Sequence, residues 1–525
     1  MDLGSKDDVR VVGISGMGGV GKSALAGDVL NKISHRFDSA YFISTPTTAQ
    51  AFPPSQSILK EAFLQIALPL KFGLSYSSPS LHRMLVVFDD VEYWKPFNGG
   101  WIRGLFGGGS RIIITSRDEG LLRHLGVDEI HKVELVNQNE ALRLLCKIVF
   151  RSDKPMTGYE ELTLEALKYA DGLPLAIKSV GLSLVDQSVS KWKRVLTKLQ
   201  TVPDASVLAV LKKSFDGLTG WQKNAFLDIA CCFAGQKIDY IKGILFCQYL
   251  FRSLRDMIIE SLIEKSLINI SSQRIKIHRL LQQLAKLIVQ HESPEPGNRS
   301  RIWNYEDFRH IMETNTGTNH VRIVVLSNDE EHPRRTTLNI KGLSKLRKLK
   351  ILIFHNVKFL GNLYDLSNNL RYLSWHKYPL NYLPPNFKPK RLVELIMPDS
   401  SITQLWRDKE KEMQYLENLN LRGSKDLMKI PHFGLLPSLE RLDLEGCTSL
   451  VQLHPSIAYL TRLKFLNLRN CTNLESIPNE LFGKSSLEFL NLAGSSKFAQ
   501  SLRFKRVTLS WSSVRVTCLY HVFII

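Results

Sequence analysis

Cysteine is scarce in this sequence: seven residues in 525, an odd number scattered along the chain. That usage excludes a disulfide framework and fits reduced thiols. Long apolar runs are missing as well. No stretch approaches the roughly 20 residues that a membrane-spanning helix needs. The opening "MDLGSKDD" lacks the basic and then apolar regions of a secretory leader, so a cytoplasmic placement is expected, with the nucleus as the alternative. Acidic residues are in deficit, 50 against 69 Lys and Arg, for a formal charge of +19. Such a charge permits contact with nucleic acid or an anionic membrane, but by itself it speaks to solubility and nonspecific attraction. No specific nucleic-acid partner is expected. Basic residues thicken around Arg334, Arg335, Lys341, Lys345, Arg347, Lys348 and Lys350, where a solvated face is the plainer reading.

What is present begins with "VRVVGISGMGGVGKSALAGDVL", Val9 to Leu30. An apolar strand runs into a glycine cluster and then into good helix formers. Gly16, Gly21, Lys22 and Ser23 match G-x-x-x-x-G-K-[ST] in the strand, loop and helix context that the phosphate-binding loop requires. Gly16, Gly18, Gly19 and Gly21 let the backbone turn several N–H groups toward one anion, and the helix after them presents its positive end. Val20 and Ala24 belong to the same cradle. Lys22 is expected to reach the terminal phosphates, and Ser23 to offer its hydroxyl to Mg2+.

A second strand, "MLVVFDDV", ends in Asp89 and Asp90. Carboxylates at the carboxyl edge of a parallel sheet stand where such folds bind ligands. Asp89 is expected to hold Mg2+, and Asp90 to orient or deprotonate an attacking water. A third strand, "SRIIITSRD", delivers Arg117 to the same edge, where a guanidinium can sense a terminal phosphate; a surface ion pair is the plainer alternative. Helical spacing fills Glu134 to Trp221, with Pro174 near a helix start. Farther on, "WQKNAFLDIACCFAG" and "SLIEKSLINISSQRIKIHRLLQQLAKLIV" combine helices with a short strand pair, a composition suited to a winged helix.

From Leu346 the pattern L-x-x-L-x-L recurs at Leu370, Leu392, Leu416, Leu439, Leu463 and Leu487, in steps of 22 to 24 residues. Such a period predicts a leucine-rich-repeat solenoid in which each repeat gives one strand to a curved parallel sheet. Cys447 and Cys471 recur at one place in successive repeats and read as structural. Arg371, Tyr372, Glu394, Glu440, Arg441, Asp443, Lys464, Phe465 and Phe489 are expected to line the concave face. The expected fold is therefore multidomain. An α/β P-loop nucleotide-binding domain (1–135) is followed by a helical domain (136–205), a winged-helix domain (206–295), a linker (296–340), the α/β leucine-rich-repeat solenoid (341–495) and an atypical tail (496–525) that fits no repeat.

In this order the motifs "GMGGVGKSALA", "MLVVFDDV", "GSRIIITSRD", "DGLPLA" and "FLDIACCFAG" resemble the plant NB-ARC leucine-rich-repeat disease-resistance proteins, most of all the subclass with an N-terminal TIR domain. The resemblance spans roughly residues 8 to 495. It implies a switch between ADP and ATP in plant innate immunity, at most a slow ATPase, whose repeats recognise a pathogen effector or a guarded host protein and restrain the molecule at rest. It also implies oligomerisation with related resistance proteins. In this family the proline at Pro174 lies against the nucleotide, and the histidine at His278 contacts a phosphate. Against the family pattern, Arg279 stands where an aspartate is usual, so a cation either weakens the clasp on ADP or pairs with a phosphate oxygen. The span between Phe42 and Leu85 is short, and a truncated product without the TIR NADase domain is the expectation from the opening and the tail. Two other readings stand beside the switch. One is a P-loop ATPase with repeated turnover, the other a truncated regulator of full-length resistance proteins. A DNA-binding regulator rests only on charge and the winged-helix composition.

Overall fold

The computed structural model describes residues 8–44, 83–92, 102–104, 106–249, 252–327, 337–407, 411–483, 486–498 and 515–517. The span expected to depart from the family between Phe42 and Leu85 lies mostly outside these residues, as does most of the tail. Two compact units emerge, one of residues 1–238 with 256–286, the other of residues 239–255 with 287–525.

In the first unit β1 (Arg10–Ser15), β2 (Ser39–Ser44), β3 (Met84–Asp89), β4 (Arg111–Ser116) and β5 (Glu129–Lys132) form a parallel sheet in the order β2-β3-β4-β1-β5. The central strands are continuous apolar runs because both faces are covered, as parallel sheets require. Val11, Val86, Phe88, Ile112 and Ile114 pack on one face with Leu121, Leu122 and Leu125 of α2 (Glu119–His124) and its C-cap. On the other face Ile14, Leu85, Val87 and Ile113 pack with Ala26 of α1 (Lys22–Ile33). The strand period of two thus sends alternate residues of β3 and β4 into two separate cores.

Helices follow, as the spacing predicts: α3 (Gln138–Phe150), α4 (Glu160–Ala170), α5 (Pro174–Leu184), α6 (Val189–Thr201), α7 (Ala205–Asp216) and α8 (Gly220–Asp228). Capping chemistry sets several starts. Asn137 and Thr219 each close a capping box, with Glu140 and Gln222 respectively, and Pro174 occupies the first helical position, where a missing N–H costs nothing. Beyond them lie α9 (Ile238–Tyr249), α10 (Arg252–Glu264), the antiparallel pair β6 (Asn269–Ser271) and β7 (Arg274–Lys276), and α11 (Arg279–Gln290).

The second unit holds a ten-stranded parallel sheet. It begins earlier than the repeat pattern suggests. β8 (Arg301–Ile302) and β9 (Ile323–Ser327) lie in the stretch expected as a linker, yet they pair in register with each other and with β11 (Ile351–His355). A side pair of β10 (Leu338–Asn339) and β12 (Phe359–Leu360) flanks them. The main sheet continues through β13 (Tyr372–Trp375), β14 (Glu394–Ile396), β15 (Asn418–Asn420), β16 (Arg441–Asp443), β17 (Phe465–Asn467) and β18 (Phe489–Asn491). Leu352, Leu373, Leu395, Leu419, Leu442, Leu466 and Leu490 stand at one register and are buried in a single continuous core. One piece of the tail extends the sheet: β19 (Arg515–Thr517) pairs in parallel with β18. Cys447 and Cys471 are buried, and each thiol donates to a carbonyl of the preceding turn, at Leu421 (3.2 Å) and Leu444 (3.1 Å). Their structural role follows from that contact, and burial pushes the Cys471 thiol up to about 12.

Tyr372 departs from its expected exposure. It is 4% exposed because α9 lies against the first rungs, with the Tyr240 and Tyr372 rings edge to face at 6.3 Å. Arg371 donates to the carbonyls of Cys247 (3.1 Å) and Gln248 (2.6 Å) near the C-terminal end of α9, where the helix dipole favours a cation. Next to them Glu394 is pushed up to about 7, by burial first and then by the Glu417 charge; a hydrogen bond from Asn418 and the Arg441 charge only partly oppose the rise.

A carboxyl whose folded pKa is raised binds its proton more tightly in the native state than when unfolded. Stability must therefore fall as pH rises from the ordinary carboxyl value of 4.5 to about 7. Glu394→Gln is expected to remove that part of the slope and to be the more stable form at neutral pH. Melting temperatures of both proteins across this window are the check, and identical slopes would contradict it.

Candidate functional site

The loop between β1 and α1 is built on backbone angles that only glycine adopts easily. Gly16, Gly19 and Gly21 have φ of 145°, 82° and 105°, and Gly21 is the N-cap of α1. Close approach adds a second constraint at Gly19. A Cβ there would stand 2.8 Å from Cβ of Leu175, whose N–H donates to the Gly19 carbonyl at 3.2 Å. Leu175 is the second residue of α5, directly after Pro174. Val20 is buried under the loop, whereas Ser23 and Ala24 stand exposed on the first turn of α1.

Lys22 is 6% exposed, and its Nζ donates to the carbonyls of Gly16 (2.8 Å) and Met17 (3.0 Å). Burial, then repulsion from Arg117, lowers its pKa to about 8 despite the attraction of Asp90, Asp89 and Glu92. Asp89 accepts from Thr115 Oγ1 at 2.6 Å, and the same oxygen accepts the Asp90 N–H at 2.9 Å. Asp90 has φ of 56° and is gripped by Arg117, with Nε to Oδ1 at 3.2 Å and Nη2 to Oδ2 at 3.0 Å. Arg117, 8% exposed, also lies 3.6 Å from Glu92 and donates to the Val210 carbonyl on α7 at 3.0 Å. Its ion pair with the half-buried Asp90 thus sits where three elements meet. Motif reasoning overlooked Glu92 and Val210: one immediately follows a recognised motif, and the other acts through its backbone.

Lys22, Asp89, Asp90 and Arg117 therefore converge at the carboxyl ends of β1, β3 and β4. The set fits a magnesium polyphosphate. It offers a buried ammonium held only by loop carbonyls, a helix N-terminus and a carboxylate on a fixed hydroxyl, and the buried Ser15 Oγ beside the loop has no partner.

His278 is placed differently. Its Nδ1 accepts from the Leu280 N–H (3.1 Å), so Nε2 carries the proton and faces the Asp171 carbonyl at 3.1 Å. Its side chain is 3% exposed, and burial lowers its pKa, with Asp171 opposing. Nε2 thus serves the C-cap of α4, and Nδ1 holds the first turn of α11. Arg279 joins the same cap, with its N–H toward Asp171 Oδ2 (3.4 Å) and Nη1 toward the Lys168 carbonyl (3.3 Å). The arginine answers a helix C-terminus.

A second ionic cluster lies at α2. Lys265 donates to Asp118 Oδ2 at 2.6 Å, while Arg123 meets Glu264 at 2.8 Å and also pairs with Glu119. These contacts join the sheet domain to the C-terminal end of α10 and the residue after it. No helix among the described residues is long and apolar enough to cross a membrane.

Comparison with known proteins matches two of these segments and most of the chain's length. The family described as NB-ARC domain matches residues 1–155, and the one described as the Disease resistance protein Roq1-like winged-helix domain matches residues 221–293. Disease resistance protein RUN1 of Vitis rotundifolia is 33% identical over 501 residues, covering 87% of this chain and 37% of the relative. Disease resistance protein RPP2B of Arabidopsis thaliana is 36% identical over 463 residues, covering 84% of this chain and 38% of the relative. The chain thus spans less than two fifths of these curated relatives. The Walker-type ATPase paby2304 of Pyrococcus abyssi aligns over 53% of this chain and 91% of its own at 14% identity and a TM-score of 0.38. With phosphate loop, winged helix and homology along most of its length in this one order, the chain belongs to the plant NB-ARC disease-resistance proteins.

Proposed function

We propose that the chain is a nucleotide-gated switch of plant immunity in which ADP and ATP, with Mg2+, occupy the loop after β1. The observation that carries this reading is the hydrogen bond from Leu175 to Gly19, which ties the phosphate loop itself to the helical domain. Gly16, Gly18, Gly19, Val20, Gly21 and Ala24 would shape the phosphate cradle, Lys22 would neutralise the terminal phosphates, and Ser23 and Asp89 would hold Mg2+. The metal, when bound, neutralises developing charge between phosphates. Arg117 would leave Asp90 for a terminal phosphate and so loosen its hold on Val210. Asp90 could activate water only after Arg117 has left it, and that required step supports slow resetting hydrolysis over repeated turnover. His278 and Arg279 would act through Asp171, and Pro174 would bring Leu175 to the loop. Recognition of an effector or guarded host protein would fall to the solenoid, and oligomerisation with related resistance proteins would follow exchange.

Purified protein is expected to release ADP near one-to-one on denaturation, and Lys22→Ala to release none. Because a phosphate beside Lys22 raises its lowered pKa, ADP binding at about pH 8 should take up protons. Calorimetry in buffers of different ionisation enthalpy reads that uptake; none in the parent protein would refute the placement of Lys22.

The two carboxylates are expected to separate by role. Asp89→Ala should weaken binding only when Mg2+ is present, whereas Asp90→Ala should chiefly slow hydrolysis. Equal effects on Mg2+-dependent affinity would overturn that division.

Gly19→Ala tests the coupling contact. Its Cβ would meet Leu175 at 2.8 Å on a backbone of positive φ, so a loss of about 1–3 kcal/mol is expected in urea unfolding of the first unit. ADP should also dissociate faster; an unchanged off-rate with lowered stability would leave the contact merely structural.

A further inference from the structure

Histidine rings meet in pairs at two places on the solenoid. At one of them the ring centroids of His432 and His454 stand 4.7 Å apart. Each of these rings already serves the backbone: Nδ1 accepts the N–H of Gly434 (3.0 Å) in one case and of Ser456 (3.1 Å) in the other, at the start of a short helical turn. The second pair is His355 with His376, also 4.7 Å apart and tilted by 52°. His355 ends β11, and His376 directly follows β13. Phe354 faces Trp375 in the parallel register, and the His376 N–H donates to the Phe354 carbonyl at 3.0 Å. The two histidines therefore stand side by side on neighbouring rungs, with backbones about 4.8 Å apart.

No hydrogen bond among the described residues employs either imidazole, and both side chains are half-buried. Facing residues on neighbouring strands stabilise a sheet when their charges are opposite and destabilise it when they are alike. Farther along, the same position of the rung holds Arg422 and Glu445, which pair at 3.2 Å. His355 and His376 are alike, so their juxtaposition is tolerable only while the rings are neutral. Burial and then the charge of His376 hold the His355 pKa below its ordinary value; burial also lowers that of His376, against the pull of Asp399 and with the push of Lys377. Neutral imidazole is the form that binds metals.

We propose that His355 and His376 together form a binding site for Zn2+ or a similar late first-row divalent cation. Imidazole nitrogen suits this class, at bond lengths of about 2.0–2.1 Å. The terminal torsion of a histidine is soft, so two half-buried rings can turn toward one ion without moving the strands. No third His, Cys, Asp or Glu stands with them among the described residues, and water would fill the remaining positions. The bound ion would clamp β11 to β13 and, by binding the folded form, stabilise it.

The test titrates Zn2+ into the full chain by calorimetry in excess Mg2+, which occupies the oxygen-ligand sites near the glycine loop. One saturable site is expected in the parent, weakened at least about tenfold in His355→Gln and likewise in His376→Gln. His432→Asn/His454→Asn should bind as the parent does, because asparagine keeps a capping acceptor for each short turn. Zn2+ should also raise the melting temperature of the parent more than that of either glutamine variant. The two glutamine variants report independently, so a failure of one to fold leaves the other as the check. No saturable site, parent affinity in a folded glutamine variant, or loss of the site in the His432/His454 variant would each overturn the proposal, and equal thermal shifts in parent and glutamine variants would overturn the clamp.

Discussion

A balance of buried charge at the carboxyl edge of one sheet governs the first unit. Lys22 and Arg117 are both nearly out of water, and they repel each other. Burying two cations side by side is unfavourable unless each has an anion or strong dipoles. Arg117 has Asp90, while Lys22 has only two loop carbonyls, and its lowered pKa records the shortfall. The glycine loop is shaped so that this shortfall faces the place where the helix N-terminus also calls for negative charge. An anionic ligand thus completes an arrangement that the protein alone leaves electrostatically short.

That balance was largely legible in the sequence, because phosphate chemistry demands fixed residue types at fixed spacings. Gly16 to Ser23, Asp89 and Arg117 could be named for this reason. Glu92 and the Val210 carbonyl could not, since one follows the motif without belonging to it and the other carries no side-chain signature. Ion pairs such as Lys265 with Asp118, 147 residues apart, are likewise invisible to any local pattern. The strands read clearly for a different reason: burial on both faces enforces long β-branched runs that leave little alternative.

In the solenoid the leucines were readable because one register serves all repeats. The earlier rungs were not. β8 and β9 carry the same pairing without the leucine spacing, and two or five residues are too few to establish a period. Exposure was the weaker inference. The sequence position of Tyr372 fixes its face of the sheet, but only the distant α9 decides that this face is covered there, whereas Arg441 farther along remains exposed and lays its guanidinium over Phe465 at 3.9 Å. A repeat pattern determines which way a side chain points, and tertiary contacts determine what it meets.

His278 and Arg279 meet the helical domain at a single turn. Both residues serve the C-terminus of α4, whose cap Asp171 has φ of 49° and is followed by Gly172 at 77°. A Cβ on Gly172 would stand 2.8 Å from the Val136 carbonyl, so this turn has little room to relax. Three residues later comes Leu175, whose N–H holds Gly19. The segment from Asp171 to Leu175 is therefore a short, sterically restricted strut with the winged-helix residues at one end and the phosphate loop at the other. In the proposed switch such a strut can transmit a change without His278 touching a phosphate. A loop that repacks when its ligand changes shifts Leu175, and a left-handed turn that cannot stretch shifts Asp171 in turn. The substitution of arginine for the family's usual aspartate then acts on the cap: a cation at a helix C-terminus stabilises the docked arrangement where a carboxylate would oppose the dipole. Its effect on switching depends on how far that docking differs between nucleotide states, since only a differential interaction moves a two-state equilibrium.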